Sequence, residues 1–244
     1  MLGTELLDDR HADPALVRAE LRDIERLNAI FGGTRAVVRA CERIFDRVGR
    51  RDAGCGMRWT LLDVGTGAGD VPRAVQRVAR RYGVELDLFG IERIPAAAGL
   101  ARAAGVTPII ADGNALPLPP RCVDVVLASQ VLHHLPRETC VRWIAAFDRI
   151  ARRAVVLADL RRSRLAMAGM WAVSFPLALR AQTRRDAVVS LRRGYTRAEF
   201  NSMVRDAGVV AEVYYAPIAR VVAVWEPKEP SAISHQPSVV ATDG

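Results

Sequence analysis

The sequence predicts an α/β protein built on a doubly wound, mostly parallel seven-stranded sheet. Short apolar runs alternate with amphipathic segments between residues 59 and 158, which is typical of strand–helix–strand crossovers. The apolar runs at 209–215 and 218–225 are separated only by Ala216 and Pro217, which predicts a final antiparallel pair. A length of 244 residues accommodates one large domain with appendages and is too short for two.

Two helices are predicted before the sheet. Asp13 is a helix-capping residue, and Pro14 suits the first helical position, so a helix is expected to about residue 30. The glycine pair at 32–33 ends it, and Thr34 is expected to cap a second helix to about residue 47. Residues 1–50 therefore form a helical extension.

The alternating part of the chain is expected to contain five strands and the helices between them. The strands are at 59–64, 85–91, 107–111, 122–128 and 154–158, and the helices lie near 71–82, 95–104 and 137–150. A further helix, capped by Thr196 and ending near residue 207, precedes the antiparallel pair. The last residues, 227–244, lack periodicity and are expected to form a disordered tail.

A glycine-rich turn follows the first strand, where residues 60–70 read T-L-L-D-V-G-T-G-A-G-D. Gly65 and Gly67 allow backbone angles closed to other residues and let a ligand approach the main chain. Asp70 stands where a dinucleotide fingerprint needs its third glycine, and the Gly-Lys-Ser/Thr ending of a P-loop is missing. A diphosphate ligand is therefore disfavoured, whereas Asp63 and Asp70 suit a ligand that carries positive charge.

The second strand ends in an acid. Residues 85–94 read E-L-D-L-F-G-I-E-R-I, and the carboxylate of Glu92 can accept hydrogen bonds from both hydroxyls of a ribose. The spacing from Gly67 to Glu92 is close to the roughly 20 residues expected between a glycine turn and the ribose acid of a nucleotide-binding unit. A nucleoside is thus the expected ligand.

Four motifs in this order resemble those of class I S-adenosylmethionine (SAM) methyltransferases. After the glycine turn and Glu92, residues 112–117 (D-G-N-A-L-P) resemble the adenine-edge loop, and residues 129–135 (S-Q-V-L-H-H-L) resemble the fourth motif of the small-molecule branch. The resemblance spans about 59–225 and implies a Rossmann-like methyltransferase fold with SAM as cofactor. The cofactor-binding residues that it implies are Asp63, Gly65, Thr66, Gly67, Asp70, Glu92, Arg93, Asp112, Gly113, Asn114, Ser129, Gln130 and His134.

The catalytic residues are expected after the fourth and fifth strands. Methyl transfer from SAM needs positioning and removal of the acceptor's proton. His133 and His134 follow the fourth strand, and Asp159 ends the neighbouring fifth strand. The arrangement is similar to His/Asp pairs proposed as bases in natural-product O-methyltransferases, which favours His133 as base and Asp159 as its partner. The alternative, that both histidines only line or cap the site, stays open.

An uncharged run, L-A-M-A-G-M-W-A-V-S-F-P-L-A-L, occupies 165–179 and is too short to span a bilayer. The resembled family carries a substrate-covering insert at this place, so a lid is expected at about 162–195 of a domain spanning 51–226. Trp171 and Phe175 would contact an apolar acceptor, and Arg193 and Tyr195 would orient a phenolate or carboxylate. A buried helix, a membrane-surface contact and an ordinary helix-cap region are the alternatives. The family likewise implies that the extension at 1–50 closes over the cofactor, unless its helices only pack on the sheet.

Composition limits the partners. The net charge of +8 comes from arginine, since Lys228 is the only lysine, and this pattern resembles a high-GC genome more than a nucleic-acid surface. The four cysteines lack metal-ligand spacing, so neither a metal site nor a disulfide framework is expected. The N-terminus is acidic where a secretory signal is basic, which predicts a cytoplasmic protein, either monomer or homodimer, without a transmembrane segment.

The function expected from these features is SAM-dependent methylation of a hydroxyl on a small hydrophobic acceptor. The acceptor class is a polyketide, a quinone or a phenol-like compound of secondary metabolism. Three alternatives stay open: methylation at carbon, RNA methylation and a SAM-binding subunit without activity. No Asn/Asp-Pro-Pro-Tyr element follows the fourth strand, which disfavours methylation of exocyclic amines.

Overall fold

A seven-stranded sheet organises the chain in the computed structural model, which describes residues 5–49, 57–114, 116 and 118–227. The strands are β1 (Met57–Val64), β2 (Val84–Glu92), β3 (Thr107–Ile110), β4 (Val123–Ser129), β5 (Ala151–Leu160), β6 (Glu212–Ala216) and β7 (Arg220–Trp225). Their order is β3-β2-β1-β4-β5-β7-β6, in which β1 to β5 are parallel and β7 is antiparallel to both neighbours. The predicted doubly wound, mostly parallel sheet is confirmed.

Helices cover both faces of the sheet. They are α1 (Pro14–Ile30), α2 (Gly33–Gly49), α3 (Asp70–Ala79), α4 (Pro95–Ala103), α5 (Arg137–Ile150), α6 (Arg164–Ser174), α7 (Ala181–Arg193) and α8 (Arg197–Asp206). Successive strand side chains point to opposite faces, so each face has its own core. Leu61 packs in a cluster with α2 and α3, whereas Leu62 packs with α5 and α8.

The first helix of the N-terminal extension begins where predicted, whereas the second begins earlier than predicted. Asp13 caps α1 by accepting hydrogen bonds from the backbone N–H groups of Ala15 and Leu16. Thr34 was expected to cap α2, but α2 begins at Gly33 and Thr34 lies inside it. A Cβ at Gly33 would lie 2.5 Å from Asn28 Oδ1, so only glycine allows this close approach of the helix start to α1.

The extension has two packing partners. Helix α2 packs on the sheet together with α3, as its apolar stripe predicts. Helix α1 instead packs through Val17 and Leu21 against Ile94 and Ala97 at the start of α4. Its carboxyl-terminal half thereby lies beside the strand ends, where it can contribute to a ligand site.

The uncharged run folds mainly as α6, which is not a buried core helix. Ser174 is its only buried residue, and Leu165, Trp171 and Phe175 are all more than half exposed. Together with α7 it forms the helical insert expected between β5 and α8. No helix among the described residues is long and apolar enough to cross a membrane. The expected tail lies outside the described residues, except for Pro227.

The turn after β1 packs closely against β2. Gly90 on β2 pairs with Asp63 on β1. The side chain of Thr66 folds back over Gly90, so that an added Cβ there would lie 2.5 Å from Thr66 Cγ2. The glycine turn can adopt its position only because this strand residue has no side chain. A ligand site beyond the carboxyl ends of β1 and β2 therefore depends on a residue beneath it.

Gly90→Ala is expected to destabilise the protein by about 1 to 3 kcal/mol, because the new methyl group displaces Thr66. Gly99→Ala is the matched control: Gly99 lies within α4 with nothing near its absent Cβ, so alanine should stabilise the helix by up to about 1 kcal/mol. Urea unfolding of both variants measures the difference. Equal stability of the two variants would contradict the packing described for Thr66.

Candidate active site

A cavity of about 410 Å³ lies at the carboxyl ends of the parallel strands. Its walls come from the glycine turn, the ends of β2, β4 and β5, helices α1 and α7, and residues 5–8. This is the position at which open α/β sheets bind ligands, because the strand order reverses direction between β1 and β4. All of the sequence-predicted cofactor residues line this cavity.

The glycine turn adopts the backbone angles that its sequence predicts. Gly65, Gly67 and Gly69 have φ values of +77°, +55° and +77°, in the left-handed region that side chains disfavour. The backbone N–H groups of Gly65 and Thr66 both donate to the carbonyl oxygen of Ile91 on β2, at 2.9 and 3.1 Å. The turn is thus tied to the neighbouring strand and presents its main chain to the cavity.

Glu92 is held beside this turn by backbone donors. Its Oε2 accepts from Gly67 N at 3.0 Å, and its Oε1 accepts from Arg93 N and Ile94 N at 2.9 and 3.0 Å. A carboxylate offers about four lone-pair sites, so it retains capacity for a ligand hydroxyl. The carboxylate is therefore fixed in place before any ligand binds.

Buried carboxyl groups give this end of the cavity a strong preference for positive charge. Burial raises the pKa of Asp63 to about 7, with the nearby hydroxyl of Thr66 lowering it and the negative charges of Asp70 and Glu92 raising it. Burial also raises the pKa of Asp70. Asp63 Oδ1, Asp70 Oδ2 and Ser129 Oγ have no hydrogen-bond partner among the described residues. Unsatisfied buried oxygens of this kind fit a ligand that brings donors and positive charge.

The loop after β3 forms the opposite wall. Asp112 Oδ1 accepts from Asn114 N at 2.9 Å, and Asn114 Oδ1 accepts from Trp143 Nε1 at 3.1 Å. Gly113 lies against the Trp143 ring, where an added Cβ would collide with the indole. The loop and the indole ring of Trp143 together form a flat surface, which is suited to a planar base. Ala115 and Pro117 of the same motif lie outside the described residues.

Two further predicted cofactor residues connect the strand ends to the N-terminal extension. Gln130 has a φ of 55° at the end of β4 and donates through Nε2 to Asn28 Oδ1 at 2.6 Å. Arg93 donates through Nη2 to the carbonyl oxygens of Leu7 and Asp8. The extension is therefore part of the cavity and does more than pack on the sheet.

His133 and Asp159 form a buried pair facing the cavity. His133 Nδ1 lies 2.7 Å from Asp159 Oδ1, and the backbone N–H of His133 donates to Asp159 Oδ2 at 3.2 Å. Burial raises the pKa of Asp159, but the charge of His133 and hydrogen bonds from His133 and Leu160 N outweigh burial and lower it. Because the ionised carboxylate holds Nδ1, the imidazole is left with Nε2 for other partners.

His134 belongs to a separate network with residues 5–8. Its Nδ1 lies 2.7 Å from Asp8 Oδ1, and Arg193 forms ion pairs with Glu5 at 3.1 Å and Asp8 at 3.0 Å. Ligand atoms of Glu5, His133 and His134 lie within 4.8 Å of one another, which is close enough to hold a metal ion. The guanidinium of Arg193 already balances both carboxylates, so the arrangement favours an ion-pair network over a metal centre.

The structure does not bring the predicted acceptor residues to the cavity. Trp171 and Phe175 stack edge to face on the exposed side of α6, with ring centroids 4.9 Å apart. Tyr195 donates its hydroxyl to the carbonyl oxygen of Leu132, 2.8 Å away, and so supports the turn that carries His133. Arg193 is occupied by the carboxylates of residues 5 and 8. None of these four side chains lines the cavity.

Several cavity residues were missed by the sequence analysis. Glu20 and Asn28 face inward from α1, Ser190 lies on α7, and Arg220 is the first residue of β7. Sequence patterns offered only one usable signal, which is the placement of the polar residues Glu20 and Asn28 on the apolar stripe of α1. A single arginine at the start of a strand carries no such signal.

Comparisons with known proteins agree with this geometry. A family model for a methyltransferase domain matches residues 62–158. Residues 62–158 therefore match a methyltransferase domain, and the fold of the chain is shared with a solved SAM-dependent methyltransferase. No curated protein sequence matches the chain.

Solved structures share the fold at low identity. A SAM-dependent methyltransferase from Aquifex aeolicus is 16% identical, with 88% of this chain and 99% of that chain covered and a TM-score of 0.52. Human N-acetylserotonin methyltransferase in complex with SAM is 13% identical, with 90% and 58% covered and a TM-score of 0.60. A TehB-like methyltransferase from Corynebacterium glutamicum is 15% identical, with 88% and 100% covered and a TM-score of 0.53.

SAM is bound by a solved protein of this fold, and the residues present in this cavity suit it. Its ribose would be held by Glu92, its adenine by residues 112–114, and its sulfonium and ammonium groups would lie near the buried carboxyl groups of Asp63 and Asp70. The unsatisfied oxygens described above then gain donors, which removes the cost of leaving them buried without partners.

The raised pKa of Asp63 makes SAM affinity depend on pH. Below pH 7 the free enzyme holds a proton on Asp63, and binding a cation must release it, so the Kd should rise up to about tenfold per pH unit as the pH falls below 7. Above pH 7 the carboxylate is already ionised, so its contribution to the affinity should level off, until the α-amino group of SAM loses its own proton at about pH 8.

Isothermal calorimetry between pH 5.5 and 8.5, in buffers of different ionisation enthalpy, measures both the Kd and the proton release. The control variant Asp63→Asn cannot ionise, so it should bind more weakly at pH 8 and lose most of the pH dependence. A wild-type Kd that is flat from pH 5.5 to 7 would rule out this role for Asp63.

Proposed function

We propose that the methyltransferase transfers the methyl group of SAM to a hydroxyl of a small hydrophobic acceptor. The observation that carries the proposal is the buried His133–Asp159 pair, which lines the same cavity as the cofactor residues. An imidazole oriented by a carboxylate is suited to accept a proton from a hydroxyl that is being alkylated.

Apolar side chains form part of the remaining cavity wall, between the charged groups of residues 5 and 8, α1 and α7. Ile24 and Phe31 from the N-terminal extension, Leu160 from β5, and Met170 and Leu191 from the insert all line it. A volume of about 410 Å³ lies within the roughly 300 to 1,000 Å³ usual for small-molecule sites. This size and lining suit a polyketide, quinone or phenol of secondary metabolism better than an RNA strand.

The chain's own residues supply positioning and proton transfer. SAM, when bound, supplies an activated methyl group, so the reaction needs no further activation of the donor. His133 takes the acceptor's proton through Nε2, because Asp159 holds Nδ1. Asp159 stabilises the imidazolium that forms, since its carboxylate stays ionised in the neutral range. The pair would serve a carbon acceptor of comparable acidity in the same way.

Residues 5–8 help to exclude water from the reaction. Glu5 accepts from Ser190 Oγ at 2.6 Å, and the backbone N–H of Leu6 donates to Asp186 Oδ2 at 3.0 Å, so this segment is bound to α7. Arg193 adds the ion pairs described above. A closed segment over the histidine pair strengthens the electrostatic interactions beneath it by keeping the dielectric low.

His133→Ala is expected to reduce turnover by roughly 10²- to 10⁴-fold, the usual contribution of general-base catalysis. Asp159→Asn should reduce turnover less, because the imidazole remains but loses its orienting charge. The double variant should be little worse than His133→Ala alone, since the two residues act together. SAM affinity, measured by calorimetry, should survive in all three variants.

A panel of phenols of rising pKa tests the base directly. Because an acidic phenol ionises without help, the loss caused by His133→Ala should grow with the pKa of the acceptor. His134→Gln is the comparison variant, and its effect should not follow acceptor pKa, since its Nδ1 is bound to Asp8. A flat loss for His133→Ala across the panel would leave His133 as a positioning residue, and NMR of the product shows whether oxygen or carbon is methylated.

A further inference from the structure

Arg220 is a buried cation that the chain itself leaves almost unpartnered. It is only 6% exposed and lines the cavity, yet its Nε has no hydrogen-bond partner among the described residues. Its Nη1 makes one long contact, 3.4 Å to the carbonyl oxygen of Ala219, and it forms no ion pair with a described carboxylate. A buried guanidinium without partners is unfavourable, so its presence calls for a reason other than folding.

The carboxylates around the same part of the cavity are already matched. Each has a partner within the chain: Glu5 and Asp8 are paired with Arg193, Glu20 with Arg180 and Thr183, and Asp186 with Gln182. Of the two arginines in the described lining, Arg93 is exposed and donates to backbone carbonyl oxygens, whereas Arg220 is buried and forms no ion pair with a described carboxylate. Burial lowers its pKa to about 10 against the opposing charge of Asp159, which leaves the guanidinium protonated at neutral pH.

Arg220 begins on the acceptor side of the sheet, and its Nη2 reaches the α1–α2 turn, 3.0 Å from where a Cβ on Gly33 would lie. Arg220 pairs with Leu160 across the β5–β7 ladder, and β5 lies between β7 and β4. Adjacent strands are roughly 4.8 Å apart, so Arg220 starts about two strand spacings from the end of β4 that leads to His133. The predicted cofactor residues lie at or follow the carboxyl ends of β1 to β4.

The turn before Arg220 is the short hairpin connection between β6 and β7, which requires positive φ values. Ile218 and Ala219 have φ values of 57° and 55°, in the left-handed region that is unfavourable for both and most of all for the β-branched Ile218. This strained turn directly precedes the strand residue whose side chain enters the cavity. The hairpin turn thereby fixes where β7 begins and so the place of Arg220 at the cavity.

We propose that Arg220 binds an anionic oxygen of the acceptor, and that the natural acceptor therefore carries a carboxylate or an ionised second hydroxyl besides the one that is methylated. A guanidinium binds a carboxylate through two parallel hydrogen bonds and a phenolate or enolate oxygen through one or two. The proposal rests on the proposed small-molecule function. It assigns to Arg220 the orienting role that the sequence had suggested for Arg193.

Thermal unfolding of the enzyme saturated with S-adenosylhomocysteine gives a test that needs no acceptor. If Arg220 is kept for binding and not for folding, Arg220→Met should unfold at an equal temperature or about 2 to 4 °C higher. Arg18→Met, on the exposed face of α1, controls for the loss of one positive charge. A Tm more than a few degrees below that of Arg18→Met would show that Arg220 is structural and overturn the proposal.

Matched probes identify the anionic oxygen. Binding to the S-adenosylhomocysteine complex is measured for 4-hydroxybenzoate and 4-hydroxyphenylacetate against their methyl esters, and for 4-nitrophenol at pH 8 against phenol. The charged member should bind at least about tenfold more tightly in the wild type and in Arg18→Met, and this preference should vanish in Arg220→Met. A preference confined to the acids identifies a carboxylate, and one confined to 4-nitrophenol identifies an ionised hydroxyl.

Equal binding of charged and neutral members, no binding of any probe, or a preference that survives in Arg220→Met overturns the proposal. The methyl position in any product, found by NMR, is a separate readout. Methylation at carbon with the charge preference intact would reject hydroxyl transfer and keep the role of Arg220. Methylation at oxygen without a charge preference would keep hydroxyl transfer and reject the role of Arg220.

Discussion

Desolvation of carboxyl groups at the ends of parallel strands is the constraint on which the site depends. Asp63, Glu92 and Asp159 end or nearly end β1, β2 and β5, and all three are buried. Each is compensated differently: Glu92 by backbone N–H groups, Asp159 by His133, and Asp63 by holding a proton up to about pH 7. Only Asp63 lacks full compensation within the chain, so it is the group whose charge state a cationic ligand changes.

The sequence predicted the elements whose signals are local. Helix α5 begins and ends where expected, because its apolar periodicity lies between clear boundaries, and the Asp13 cap is observed. β5 is longer than predicted, since Arg152 and Arg153 at its start do not resemble a strand. Both arginines form ion pairs with buried Asp124, at 2.9 and 3.2 Å, and this contact between distant parts of the chain cannot be inferred from either segment alone.

The cofactor side of the site was more predictable than the acceptor side for the same reason. Gly65, Gly67 and Glu92 belong to one strand–turn–helix–strand unit, so their spacing in sequence largely determines their spacing in space. The acceptor side combines residues 5–8, α1, α7 and the start of β7, which are as far as 215 residues apart in sequence. The charge of Arg193 and the apolarity of Trp171 suggested these residues as contacts for the acceptor. Neither property indicates which way a side chain points once two helices pack together.

The least satisfied charged groups of the cavity are Asp63, Asp70 and Arg220, and they differ in sign. Asp63 and Asp70 on the cofactor side raise the free energy of the folded chain unless a cation is near, and Arg220 does the same until an anion is near. Opposite charges left apart in this way bind a cationic donor and an anionic acceptor in one orientation and disfavour the reverse. On the proposed function, the folding stability lost at these groups orients both ligands at the His133 imidazole, because a wrongly turned acceptor would present no hydroxyl to Nε2.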